Sequence, residues 1–119
     1  MNDNSRIRLT IILSAIDFPY QQVLAYLVPR LGKAFAGATC QPVDGIWSPD
    51  GFLDKQLYQS GEYEPGIQIC LSVLPNEETR ALNLVKSLVS ELKTELSLSI
   101  HWVHVEIETI VAAHFSLDE

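Results

Sequence analysis

The sequence predicts a small α+β fold: an antiparallel four-stranded sheet carrying two helices on one face. Three observations predict it. Two stretches place apolar residues at helical spacing. Four stretches alternate apolar with polar residues or are rich in β-branched and aromatic ones. They follow one another as strand, helix, strand, strand, helix, strand.

The first strand is expected over residues 6–15. Ile7, Leu9, Ile11 and Leu13 are aliphatic, while Arg6, Arg8, Thr10 and Ser14 between them are polar and only Ile12 breaks the alternation. A period of two buries one face and leaves the other mixed. Asp17 is then expected as a helix N-cap, with Pro19 tolerated in the first turn. The first helix is expected over 19–35 from the stripe Tyr20, Leu24, Leu27, Leu31 and Phe35. Pro29 lies inside it, where a missing backbone donor should kink or end the helix. Gly37 is the stop signal.

The second strand is expected over 38–47. It meets Ser48-Pro49-Asp50-Gly51, residues suited to a tight turn. Residues 52–58 are expected to return as a short extra hairpin strand, and 59–66, rich in glycine and polar residues, to form a loop. The third strand is expected over 67–74, with Ile67, Ile69, Leu71 and Val73 alternating with Gln68, Cys70 and Ser72 and with Pro75 ending it. Asn76 is expected to cap a second helix over 77–96, where Glu77 and Glu78 suit the positive end of the helix dipole. Leu82, Val85, Leu88, Val89, Leu92 and Leu96 make its stripe, the clearest helical signal in the chain. The fourth strand is expected over 100–111, followed by a polar tail after Phe115.

This element order is that of the ferredoxin-like split β-α-β sandwich. Right-handed crossovers put both helices on one face and give the strand order four-one-three-two. The whole chain, 1–119, is expected to be one domain, with residues 1–5 and 116–119 frayed.

The composition excludes several classes of function. The chain has 119 residues, 47% hydrophobic and 19% charged, with a formal net charge of −7. That is globular rather than disordered. No run of Lys or Arg offers phosphates a basic face, so no nucleic-acid partner is expected. No membrane partner is expected either, because an anionic surface repels an acidic chain and no segment reaches the roughly 20 apolar residues of a span. Arg6 and Arg8 precede the apolar run 9–16 as in an export signal. The run is only about eight residues, near the lower limit, and Asp17 and Pro19 stand where a cleavage site would be. A cytoplasmic location is the expectation.

The face of the sheet turned away from the helices is where function is sought. Arg8, Thr10, Ile12, Gln68, Cys70, Ser72, Trp102, His104, Glu106 and Glu108 are expected there, with Val103, Val105 and Ile107 on the opposite side against the helices. Arg8, Ile12, Cys70, Trp102, His104, Glu106 and Glu108 form the candidate pocket or interface. His104, Glu106 and Glu108 are spaced i, i+2, i+4, about 7 Å per step along a strand. A histidine with two carboxylates suits acid-base chemistry or a divalent metal. Three polar residues on an outward face are also ordinary, with Arg8 pairing the glutamates across strands. With no fourth ligand evident, neither a metal nor any cofactor is expected. Cys40 and Cys70 fit two small buried residues, and a disulfide between them is left open by spacing alone. Trp47 is expected to pack the turn against the domain. GxGxxG, GxxxxGK[ST], GxSxG, CxxC and HExxH are all absent from the sequence.

Val28-Pro29-Arg30, Gly37-Ala38-Thr39, Asp44-Gly45-Ile46-Trp47 and Asp50-Gly51 together resemble a family of small uncharacterised bacterial α/β proteins with the pattern VxPRF, GxT, DGxGxW, DG. The resemblance spans about residues 20–110. It implies a comparable strand ending in proline and a following long helix, and it implies no reaction and no site residue.

Three functions remain. A homodimeric regulatory or assembly module joined through the open face is expected first. A small dimeric α/β-barrel enzyme with a pocket between two open faces is the alternative, and a ligand or metal sensor is the third. The identity of any small ligand is not legible in the sequence.

Overall fold

The computed structural model describes residues 4–118. In chain order it contains β1 (Ser5–Ser14), α1 (Tyr20–Ala34), β2 (Thr39–Trp47), β3 (Glu62–Val73), a 3₁₀ turn (Pro75–Glu77), α2 (Glu78–Glu95) and β4 (Val103–Val111). The four strands form one sheet in the order β2-β3-β1-β4, and every adjacent pair is antiparallel.

Alternation in β1 sets the layers. Ile7, Leu9, Ile11 and Leu13 are buried, and Arg8, Thr10 and Ile12 are half-buried on the other side. The odd-numbered row of β1 joins Ile67, Ile69 and Leu71 of β3 in one apolar cluster. Val23, Leu27 and Leu31 of α1 and Ala81, Val85, Val89 and Leu92 of α2 complete it. Both helices therefore bury their apolar stripes against the two central strands.

Several local expectations need correction. Asp17 does not cap α1. The N-cap is Pro19, without a side-chain hydrogen bond, and Val23 N–H bonds to its carbonyl at 3.0 Å. Pro29 does not end the helix, which continues to Ala34. Pro29 is exposed, so its ring and the bond it forfeits face water rather than core. Asn76 does not cap α2, because Pro75–Glu77 form a 3₁₀ turn and the N-cap is Glu77. Ser5 is part of β1 rather than a frayed end, and Asn4 O accepts a 2.9 Å bond from Ala112 N–H. Residues 1–3 and 119, expected to fray, lie outside the described residues.

The extra hairpin strand at 52–58 is absent. Residues 48–61 are an irregular loop, and β3 instead begins at Glu62, inside the stretch expected to be loop. Side chains rather than a ladder hold this loop. Asp50 is 7% exposed. Its Oδ1 accepts from Gln59 N–H at 3.1 Å and lies 2.5 Å from the Ser48 hydroxyl, while Lys55 Nζ pairs with its Oδ2. A buried carboxylate with these partners replaces the missing strand pairing as the loop's anchor.

Candidate functional site

Register fixes what shares the open face. On β1, Arg8 stands opposite Glu108 and Ser72, Thr10 opposite Glu106 and Cys70, and Ile12 opposite His104 and Gln68. Thr39 and Gln41 of β2 extend the same rows beside Cys70 and Gln68. Six of the seven candidate residues thus lie together on three adjacent strands.

The seventh, Trp102, does not. β4 begins at Val103, so Trp102 precedes the strand instead of standing in its outward row. It is 77% exposed and stacks on Phe52 of the 48–61 loop, with ring centroids 6.4 Å apart. The loop after β2 thereby reaches the start of β4, and an aromatic contact takes the place of the strand residue expected there.

The side of the open face formed by β1 and the edge strand β4 is polar. The Arg8 guanidinium bonds Glu108 through both Nε and Nη2, at 3.0 and 2.8 Å. The hydrogen bond to Glu108 and its charge raise the Arg8 pKa above its ordinary value, so this cation stays charged. His104 Nε2 lies 3.1 Å from Glu106 Oε2 on the same strand. The two pairs use different carboxylates, and both are exposed. Among the described residues no group of three or more His, Cys, Asp or Glu side chains is arranged to hold a metal ion.

The two thiols are free. Cys70 stands opposite Thr39 and Cys40 opposite Ile69, so neighbouring positions on adjacent strands turn them to opposite faces. Burial pushes the Cys40 thiol pKa up, which disfavours the thiolate a nucleophile requires. Cys40 lines a groove of about 240 Å³ with Leu24, Leu27 and Leu31 of α1.

One end of the open face carries an arrangement the sequence did not disclose. Trp47 Nε1–H donates to the Ser14 hydroxyl at 2.9 Å, and that hydroxyl donates to Glu64 Oε1 at 2.9 Å. Trp47 is thus bonded to β1 rather than only packing its own turn. Gly45 makes this possible: a Cβ there would lie 2.4 Å from the indole nitrogen. Gly66 makes a second close approach, since its Cβ would lie 2.2 Å from the Leu13 carbonyl oxygen. The alternation of β1 places Ser14 on the open side, but its partners are 33 and 50 residues away. The fold also gathers basic residues that are scattered in sequence. Arg30 and Lys33 of α1 and Arg80 of α2 line a shallow groove between the helices.

On the side of the sheet facing the helices, β4 is less covered than its alternation suggests. Val103 and Ile107 were expected to be covered by the helices. They are 38% and 43% exposed, and Val111 is 69% exposed. Only Val105 of that row packs against the core cluster. The helices sit over the two central strands and leave the edge strand β4 uncovered.

Together these features define a small α+β protein with an antiparallel four-stranded sheet and two helices. No described helix is long and apolar enough to cross a membrane. No family model matches the chain, and no curated protein matches it. Among solved structures it is similar to CutA from Synechococcus elongatus PCC7942, at 12% identity and a TM-score of 0.43, covering 94% of this chain and 80% of that one.

Proposed function

We propose that this chain is a ferredoxin-like regulatory or assembly module that acts in the cytoplasm as a homodimer. The observation that carries the reading is the uncovered apolar row Val103, Ile107 and Val111 on edge strand β4. A row of large aliphatic side chains left in water by its own helices gains by meeting a second copy, at roughly 25 cal/mol per Å² of apolar area removed from water. The open face expected to form the interface is less suited to it, because its β1–β4 side holds the Arg8–Glu108 and His104–Glu106 pairs. Burying such ions costs more than burying aliphatic groups.

The test is sedimentation velocity at micromolar concentration. The wild type is expected to sediment as a dimer, and Ile107→Asp as a folded monomer with an unchanged far-UV circular dichroism spectrum. A monomeric wild type overturns the reading. Ile107→Asp that remains dimeric moves the interface away from β4.

The second reading is an enzyme or sensor with a site on the open face. What favours it is His104 oriented by Glu106 beside the Arg8–Glu108 pair, since a histidine held by a carboxylate is suited to proton transfer. Titration with zinc chloride, followed calorimetrically on wild type and His104→Ala, tests the metal form of it. One tight equivalent lost in the variant supports a sensor.

A further inference from the structure

We infer that the partner of β4 is β4 of a second copy, paired antiparallel about a two-fold axis at Val105, so that two four-stranded sheets become one of eight strands. The inference rests on the self-association proposed above and specifies its register.

The first argument is the choice of edge. The sheet order leaves β2 and β4 at its edges among the described residues. β2 contains Pro42, which has no N–H to give a new neighbour, and Gly45. β4 is nine residues long, contains no proline, glycine or lysine, and is bounded on one side by β1 alone. Its outer backbone groups offer a template for another strand, with no proline or lysine to blunt the edge.

The second argument is charge. The residues of β4 alternate between a row that is aliphatic except for Thr109 on the helix side and the row His104, Glu106, Glu108 and Ile110 on the open side. Antiparallel self-pairing that keeps each row on its own face must be centred on one residue of the strand. Centring on Ile107 sets Glu106 against Glu108 of the second copy, twice. Centring on Glu106 sets two glutamates directly opposite at the axis, and centring on Glu108 does the same. Like charges directly opposed across strands are destabilising. Centring on Val105 sets His104 against Glu106 of the second copy, twice, and no carboxylate against another. Those two side chains already approach within 3.1 Å in one chain, and both are more than half exposed, so they are free to face a partner.

The third argument is apolar burial. In the Val105-centred register Val103 faces Ile107 of the second copy on both sides of the axis, and Val105 faces Val105. Two of the three aliphatic side chains that the helices leave exposed, Val103 and Ile107, thereby cover each other. Glu108 stays with Arg8 of its own chain, which keeps its charge compensated.

Engineered cysteines read the register. In a Cys40→Ser, Cys70→Ser background, Val105→Cys, Glu106→Cys and Ile107→Cys are oxidised separately and run on a non-reducing gel. Directly opposed positions lie about 4.5–5.5 Å apart between Cβ atoms, within small adjustment of a disulfide. The inferred register separates Glu106 from its copy by two strand steps, about 7 Å along the strand, and Ile107 by about twice that. Val105→Cys is expected to move from the 13.3 kDa monomer band to the dimer band, and the other two to stay. Cross-linking at Glu106→Cys or Ile107→Cys instead overturns the register. No cross-link at any of the three, from a protein that still sediments as a dimer, overturns the inferred register while leaving self-association standing. A monomer in sedimentation overturns both.

Discussion

Trp47 and Ser14 are joined by a 2.9 Å hydrogen bond that runs from β2, at one edge of the sheet, to β1, two strands away. The Ser14 hydroxyl in turn donates a hydrogen bond to Glu64 on the intervening strand β3, so one buried hydroxyl ties three strands together. Ser14→Ala leaves an indole N–H and a half-buried carboxylate without this partner. It is expected to cost about 1–3 kcal/mol, the range for stranding buried polar groups. Urea denaturation measures it. A loss under about 0.5 kcal/mol, typical of a surface change, would show that the three side chains do not act together.

Gly45→Ala tests the same cluster from its other side. A methyl group at this position occupies the place of the indole nitrogen, so Trp47 must swing off Ser14. Fluorescence excited at the tryptophan band is expected to shift to longer wavelength as the indole enters water. Trp47→Phe alongside isolates the signal from Trp102. An unchanged spectrum would mean that the indole does not lie over Gly45.

Asp50 makes the 48–61 loop sensitive to acid. Its bond to Lys55, first, and its approach to the Ser48 hydroxyl lower its pKa to about 2, against roughly 3.9 in an unfolded chain. A depressed carboxyl pKa contributes stability that is fully present above the unfolded value and is lost as pH falls through the folded one. Wild type is therefore expected to be more stable than Asp50→Asn at pH 7, and to lose that advantage between roughly pH 4 and pH 2. Parallel urea titrations across that range check it. An advantage that is constant with pH would assign the effect to packing and not to charge.

The two leucines Leu88 and Leu92 separate the core from its margin on α2. Leu92 is fully buried, while Leu88 is half-buried and lines the shallow groove between the helices. Leu92→Ala is expected to cost about 2–5 kcal/mol and Leu88→Ala clearly less, because a cavity forms only where the surroundings cannot relax into water. Equal losses would place the two residues in equivalent surroundings.

Ser97 ends α2 with φ of 52°, a left-handed conformation that glycine adopts at lower cost. Leu98 N–H reaches back to Lys93 O at 3.0 Å to close this turn. Ser97→Gly is expected to raise stability by up to about 1 kcal/mol, the strain relieved being partly offset by a more flexible unfolded chain. Thermal denaturation of the pair decides the sign.

The sequence by itself determined the elements and their order, because period and burial are local properties of the chain. The odd row of β1, the stripe Val85, Val89 and Leu92, and the alternation from Ile67 to Val73 each name their buried face without reference to anything distant. The same alternation put Arg8 and the glutamates of β4 on one face, but a slip of two residues preserves every face, so only the structure set Arg8 opposite Glu108. Local signals misled where tertiary contacts outweighed them. Asp17 and Asn76 have the right chemistry for caps, yet backbone turns at Pro19 and Pro75–Glu77 begin the helices. The glycine-rich stretch read as loop became the start of β3, because β2 supplied it with a partner from Asp44 to Trp47. Only the tertiary structure decided how far the helices reach across the sheet. They cover the two central strands and leave Val103, Ile107 and Val111 in water. The aliphatic residues of β4 read like those of a covered strand, because alternation tells which face a side chain takes but not whether anything lies over it.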